Sequence, residues 1–590
     1  MARAARATDP PRGRSEAFRQ IMSQAHLPRG PRHQIVRKTR FALRYNHPRR
    51  GRRGKRVALN VIQVEDEPGE RVRAPKRLVG FIAPAIEPEY TPTEIVMSEH
   101  DFKDTTDWVT GPVVGHVTPS TARLWVRGAG PGSVYAWVGQ QPDLSDARMA
   151  AEAERQPQAG FAAVVEVSDL QPGTRYFYAL TPSPTPPAGS GPYPSFRTAP
   201  TEDASTFTFV FGSCFAPQNA YGEAAVRRLL SVMSGPDAPD FGLLLGDQIY
   251  ADEPRQNGLG KIAQTEADYR EVYRLAWAET AWRDALANLP WRMIWDDHEV
   301  DNDWFWTSPD RVEARPGWLT RLRRRLGGYP RELWALIPHR RLRAAVQTFW
   351  EHQMMHGPPL RLPPAGVENH RPLLLTSNRG HFGYTFTHGP AAFYVLDLHS
   401  HRYMASYGRS MMNAEQWTDL EHWLLEVRDR YPFKFLVSSV SVFFQQRLPF
   451  GGGRWDEFPD ERRRLVHLIN AHQIEGVFFL SGDLHVAHIV EAELEGVARP
   501  LPTWEFSVSP WGQKVFRYGG LLGTTAHFPG VRASRWLGTW AVPNFGWVRA
   551  GTQPQPWLEF RLETPAGPRV QVRLRRTDQG WRRVAPEPGP

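Results

Sequence analysis

The 590-residue chain predicts an α/β layered domain preceded by a small all-β domain. Between about 205 and 545, short runs rich in Val, Leu, Ile and Phe alternate with helical stretches, the order of an α/β domain. From 106 to 200, short alternating strands are separated by turns, the pattern of a β-sandwich. Four apolar runs of the longer segment end in side chains that no ordinary core requires. They are Cys214 in FTFVFGSC, Asp247 and Tyr250 in FGLLLGDQIY, Asp297 and His298 in MIWDDHE, and Asp483 and His485 in VFFLSGDLH. Carboxyl ends of strands are where open α/β sheets collect their ligands.

The elements follow in order. Residues 1–60 hold 17 Lys or Arg and two acids, a net +15, so the remaining residues sum to −5 of the chain's +10. This tail, with Pro48–Arg56 as its densest stretch, reads as disordered and could touch nucleic acid or anionic lipid. Its twin arginines precede no apolar core of an export signal, and no apolar run reaches the 18–20 residues or so that span a bilayer. With Cys214 as the single cysteine there is no intrachain disulfide, so a cytoplasmic location is the default expectation. Residues 61–105 are Pro-rich and extended, a linker.

In 106–200, Val114–Thr118 and Ala122–Arg127 flank a Pro-Ser-Thr turn, followed by Ala162–Val167 and Leu170–Tyr178. LQPGTRYFYAL and the closing SFRTAP resemble a fibronectin type III-like module. Beyond it, Asn413–Arg430 predicts a helix: Asn413 suits the N-cap, and Trp417, Leu420, Leu424 and Val427 share a stripe. Arg462–Ala471 predicts a second helix, and 321–356, rich in Arg and Trp, a third helical region. The stretches 558–562 and 570–574, separated by Pro and Gly, predict a hairpin within a terminal segment, 546–590.

Each motif has a plainer reading as well. A lone thiol is commonly a buried filler, although a thiolate suits a soft or borderline metal. Gly246-Asp247 lets the backbone approach bound ions, with Tyr250 three residues on, yet a turn aspartate could also cap the next element. Trp295-Asp296-Asp297-His298-Glu299, followed by Asp301 and Asp303, is the strongest signal, because so many acids near a strand end repel one another without a cation. His298 is then a candidate acid or hydrogen-bond donor to a phosphoryl oxygen. Asp483 and His485, two apart on extended backbone, make a candidate ligand pair.

Taken together, GSC, GDxxY, WDDHE and SGDxH resemble the alkaline phosphatase D (PhoD-like) branch of the calcineurin-like metallophosphoesterases, over about residues 106–545. That resemblance implies a two-sheet α/β/β/α metallophosphatase sandwich with a dinuclear centre. By resemblance, Cys214, Asp247, Tyr250 and His485 hold a first metal, Fe3+. Asp247 bridges to a second, Ca2+ or another divalent ion, held by Asp297 and Asp483. The implied activity is hydrolysis of phosphate mono- or diesters by a hydroxide between the metals, with Asp247 and His298 catalytic and Arg402 and His298 contacting a small-molecule phosphate ester. The alternative is a noncatalytic metal-binding or polyanion-binding protein, against which the full ligand set argues. One departure stands out. The family pattern Leu-Asp-Thr-Arg, with a second arginine three residues on, reads here Leu396-Asp397-Leu398-His399-Ser400-His401-Arg402, so His399 replaces the first arginine. Family members are usually exported, and no export signal is legible.

Overall fold

The computed structural model describes residues 108–188, 191–216, 220–306, 337–374, 379–405, 408–446, 454–516, 523–525 and 527–585. The tail and linker expected over 1–105 lie outside these residues, as does the part of 321–356 before Ile337.

Seven strands build the N-terminal domain: β1 (Thr110–Val117), β2 (Ala122–Arg127), β3 (Ser133–Gly139), β4 (Arg148–Glu154), β5 (Ala162–Val167), β6 (Arg175–Thr181) and β7 (Ser195–Arg197). They form two antiparallel sheets, β1-β2-β5 and β4-β3-β6-β7, around one core that includes Val114, Leu124, Val134, Val165 and Tyr178. Successive strand residues face opposite ways. In β2, Leu124 and Val126 therefore enter the sandwich core, while Trp125 joins the core of the larger domain. An indole buries about 200 Å², worth roughly 5 kcal/mol at about 25 cal/mol per Å², so this side chain fastens one domain to the other.

The larger domain begins with β8 (Thr206–Gly212), β9 (Phe241–Leu245), β10 (Trp291–Ile294), β11 (Tyr384–His388) and β12 (Ala391–Val395). A ribbon of β13 (Tyr403–Ala405) and β14 (Gly408–Ser410) precedes β15 (Phe433–Val440), β16 (Phe444–Gln446), β17 (Val477–Gly482), β18 (Ala487–Leu494) and β19 (Leu501–Ser507). The last strands are β20 (Gly523–Thr525), which pairs with β16, then β21 (Val531–Trp540), β22 (Phe545–Gly551), β23 (Trp557–Thr564), β24 (Gly567–Thr577) and β25 (Gly580–Val584). One sheet runs β10-β9-β8-β22-β23-β24-β25 and the other β11-β12-β15-β17-β19-β18-β21. In the first, β8, β9 and β10 are parallel; in the second, β12, β15, β17 and β19 are. The faces meet through aromatic rings, Phe209 with Phe435 (5.2 Å between centroids) and Phe506 with Phe560 (4.4 Å).

Helices α1 (Ala220–Met233), α2 (Glu266–Ala276), α3 (Thr280–Asn288), α4 (His339–Phe349), α5 (Ala414–Val427) and α6 (Pro459–Ala471) complete the layers. Helix α1 packs on β23 in the first sheet and α5 on β12 in the second, giving the expected α/β/β/α order. The predicted cap is present: the amide of Gln416 donates to Asn413 Oδ1 (2.8 Å), and Trp417, Leu420, Leu424 and Val427 are buried. Helix α6 starts three residues earlier than its apolar pattern suggested, with Pro459 at the first turn, where a missing N–H costs nothing. Helix α4 continues into a π-helical turn, Trp350–Met354. The terminal segment set apart as 546–590 forms its hairpin, β23 with β24, but within the first sheet, where β22 pairs with β8. No helix among the described residues is long and apolar enough to cross a membrane.

Candidate metal centre

The motifs follow the carboxyl ends of β8, β9, β10 and β17, so both sheets contribute to one place. Backbone geometry brings the loops together. A Cβ on Gly246 (φ +99°) would lie 2.3 Å from that of Asp296, and one on Gly482 would lie 2.2 Å from Ser213 Oγ. Only glycine permits these approaches. Just beyond them, Cys214, Asp247, Asp483 and His485 have φ of 60°, 55°, 71° and 52°. Side-chain-bearing residues avoid this left-handed region, and where they persist the surrounding structure enforces it, commonly at ligand sites.

Cys214, Asp247 and His485 each offer a donor atom within 4.8 Å of the others, and Asp247, Asp297 and His298 make a second such group. Asp247 belongs to both. Tyr250 stands beside the first group: its hydroxyl donates to Asp247 Oδ2 (3.3 Å) and lies 3.3 Å from His485 Nε2. Asp483 is in neither group. Its amide donates to Ser213 Oγ (3.2 Å), its carbonyl accepts from the Cys214 thiol (3.7 Å), and its carboxyl feels the charges of Asp296, Asp297 and Asp303. Arg402 is buried, with its guanidinium donating to the Trp304 carbonyl (3.0 and 2.6 Å). His399 Nε2 bonds Asp296 Oδ1, which Ser439 Oγ also reaches at 3.0 Å.

The electrostatics suit cations. Burial pushes the Asp247 carboxyl well above the usual carboxylate range, with Asp297, Asp296 and Glu299 adding to the rise and His298 opposing it. Asp483 is raised by burial and by Asp296, against Arg454. Burial, with the charges of Asp247 and Asp483, also pushes the Cys214 thiol up. Ser509 Oγ donates to its sulfur (3.1 Å), a bond that favours thiolate. Thiol, phenol, imidazole and crowded carboxylates whose mutual field disfavours ionisation are a donor set that positive ions would neutralise, so these residues fit a metal centre. Burial lowers the basicity of His298, but the carboxylates of Asp297, Asp247 and Asp252 outweigh it and raise its pKa well above the ordinary value.

Four further residues support the predicted ones. Asp252 Oδ1 lies 2.8 Å from His298 Nδ1, leaving Nε2 as the ring nitrogen free for the Asp247–Asp297 side. Glu299 accepts the amides of Asp247 (3.0 Å), Asp296 (3.0 Å) and Gln248 (2.7 Å), so one carboxylate clasps two ligand loops. Gln513 and Lys514 flank the first donor group: Gln513 N donates to the Cys214 carbonyl (3.2 Å), and Lys514 backbone bonds the His485 ring. Glu299 lay in plain view within the Asp-Asp-His-Glu motif. Asp252, five residues past Asp247, gave no periodic signal.

Comparison with known proteins places the chain in a family. A family model described as PhoD-like phosphatase matches residues 209–552, and one described as a domain of unknown function matches 105–185. Alkaline phosphatase D of Bacillus subtilis (strain 168) is 24% identical over 364 residues, covering 56% of this chain and 54% of that protein. The chain thus matches about half the length of that relative. A solved structure of PhoD superposes with a TM-score of 0.60 at 18% identity, over 82% of this chain and 93% of that one. A purple acid phosphatase from yellow lupin (Lupinus luteus) aligns at a TM-score of 0.48 and 12% identity, over 78% and 73%. With one family model spanning more than half of its sequence, the chain belongs to the PhoD-like phosphatase family.

Proposed function

We propose that this chain is a metal-dependent phosphoesterase with two metals sharing Asp247. The observation that carries the reading is the membership of Asp247 in both donor groups. Cys214, Tyr250 and His485 would complete the first site, where the phenolate fits the Fe3+ that the family resemblance implies; Asp297 and Asp483 would complete a harder second site suited to Ca2+. When bound, such ions supply Lewis acidity that activates water and neutralises charge on a phosphate ester.

The chain's own residues then divide the work. Asp252 holds His298 by Nδ1, and its carboxylate, which is not one of the candidate ligands, favours the protonated ring. His298 is therefore the donor of a proton or hydrogen bond to a phosphoryl oxygen or to the departing alcohol. As water oxygen bonds to phosphorus and the ester P–O bond breaks, the His298 proton goes to the departing alcohol and the proton given up by the water restores the ring. Arg402, anchored on the Trp304 carbonyl, adds positive field behind Asp296, while His399 occupies the place of the family's first arginine. The substrate is a small phosphate mono- or diester.

The test pairs metal analysis with hydrolysis of a chromogenic phosphodiester. Wild type should carry iron and a second metal and cleave the ester, and Asp247→Asn should lose both. A wild-type chain that purifies and reconstitutes without metal would overturn the reading.

A further inference from the structure

The turn after α4 reaches the metal centre from outside the four motifs. Trp350–Met354 is π-helical, a geometry that recurs mainly at functional positions. Within it, Gln353 is fully buried and its Nε2 donates to Glu299 Oε1 (2.9 Å) and to the Tyr273 hydroxyl (3.0 Å). Its Oε1 has no partner among the described residues. A buried amide with an unsatisfied oxygen is costly, so the contact made by its nitrogen sets its orientation. Glu299 in turn accepts the amides of Asp247, Gln248 and Asp296, the loops that hold the shared aspartate and precede Asp297.

The N-terminal sandwich grips this turn and the residues just after it. Trp125 Nε1 donates to the Glu351 carbonyl (2.9 Å), and the His116 amide donates to the His356 carbonyl (2.7 Å). A Cβ on Gly115 would stand 2.2 Å from that same His356 oxygen, so β1 lies directly on the segment that leaves the turn. Arg123 Nη1 adds a bond to the Gly357 carbonyl (2.8 Å). From the other side, Arg270 holds the Glu351 carboxylate (2.7 and 2.6 Å), and the Tyr273 ring stacks on His352 at 4.2 Å.

We propose that Gln353 is a positioning residue of the metal centre, acting through Glu299, and that the sandwich fixes where it stands. The role rests on the metal-site reading above and extends it to a domain that contributes none of the candidate ligands. Gln353 sets how Glu299 spans the two loops, and hence the separation of Asp247 and Asp297. Hydrogen-bond partners that orient metal ligands commonly govern about 10–100-fold in affinity or activity.

The experiment measures Ca2+ binding by calorimetry, together with phosphodiester kcat and KM, on the full-length chain. Gln353→Met, which keeps volume and deletes the donor, should weaken Ca2+ binding about tenfold or more and lower kcat with KM little changed. Trp125→Phe, which keeps most of the packing but deletes the indole N–H, should shift both in the same direction by less. Val134→Ala, in the sandwich core and away from the turn, should lower the melting temperature yet keep wild-type Ca2+ affinity. Wild-type affinity and kcat in both Gln353→Met and Trp125→Phe would overturn the proposal, as would equal loss of Ca2+ affinity in Val134→Ala. If Gln353→Met does not fold, Trp125→Phe decides. A wild-type chain that binds Ca2+ but cleaves no ester would overturn the hydrolase reading instead, and Ca2+ affinity alone would then judge the positioning role.

Discussion

Asp252 bears on the proposed chemistry without being a candidate ligand. Its carboxylate accepts from His298 Nδ1 and helps keep that ring charged. A donor must be protonated to act, so activity should fall as pH rises through the His298 pKa. Asp252→Asn removes one of the charges that raise this pKa, so the basic limb of the kcat profile should move to lower pH. We also expect kcat itself to fall by about 10²-fold at neutral pH, the lower end of what a positioned proton donor supplies; an unshifted basic limb would assign the proton elsewhere. The candidate ligands were legible because their chemistry sits in short strings at strand ends, as in Gly246-Asp247 or Asp297-His298. Their supports were not, because backbone amides carry no side-chain signature. Nothing in the sequence says that Glu299 would accept three of them, or that Ser509, from the end of another strand, would donate to Cys214. Arg402 shows the same limit: its place in the motif was readable, whereas its anchoring carbonyl on Trp304 was not.

At the scale of elements, local rules held where local residues decide. Asn413 caps α5 because its side chain reaches an amide three residues on. Sheet membership does not work this way. Alternation in 558–562 and 570–574 announced strands and a tight turn, but not that β22 would join β23 and β24 to β8. In the buried strand β15, Lys434 carries a testable consequence. Its ammonium donates to the Glu475 carbonyl (2.8 Å), and burial, with Arg576 adding, lowers its pKa from 10.5 to about 8. The unfolded chain therefore binds more protons than the folded one between those values, and stability should rise with pH across that window. The full effect is on the order of 3 kcal/mol, gained above pH 10.5 and lost as pH falls through about 8. Denaturant unfolding at several pH values should show this slope in wild type and a flatter one in Lys434→Met. Equal slopes would mean that the ammonium stays solvated.

For the whole molecule, the proposed metal centre is a joint between layers, since the strands that lead to Cys214, Asp247 and Asp297 belong to one sheet and the strand that leads to His485 belongs to the other. Cations bound there stabilise the folded state by mass action, about 2.7 kcal/mol at a concentration 100 times the dissociation constant. Chelation should accordingly lower the melting temperature as well as the activity, and a melting curve indifferent to chelator would separate the site from the fold. The pairing of β8 with β22 also orders events in time. Thr206 aligns with Gly551, so the strand leading to Cys214 has a bare edge until β22, far along the chain, is available. Chains emerge from the ribosome N-terminus first, and distant strand pairings form late. The sandwich can thus be complete while the thiol waits, and metal binding at the proposed centre would follow synthesis of β22. A polypeptide ended at Asn544 should keep a folded N-terminal domain, detectable by protease resistance, yet retain no metal.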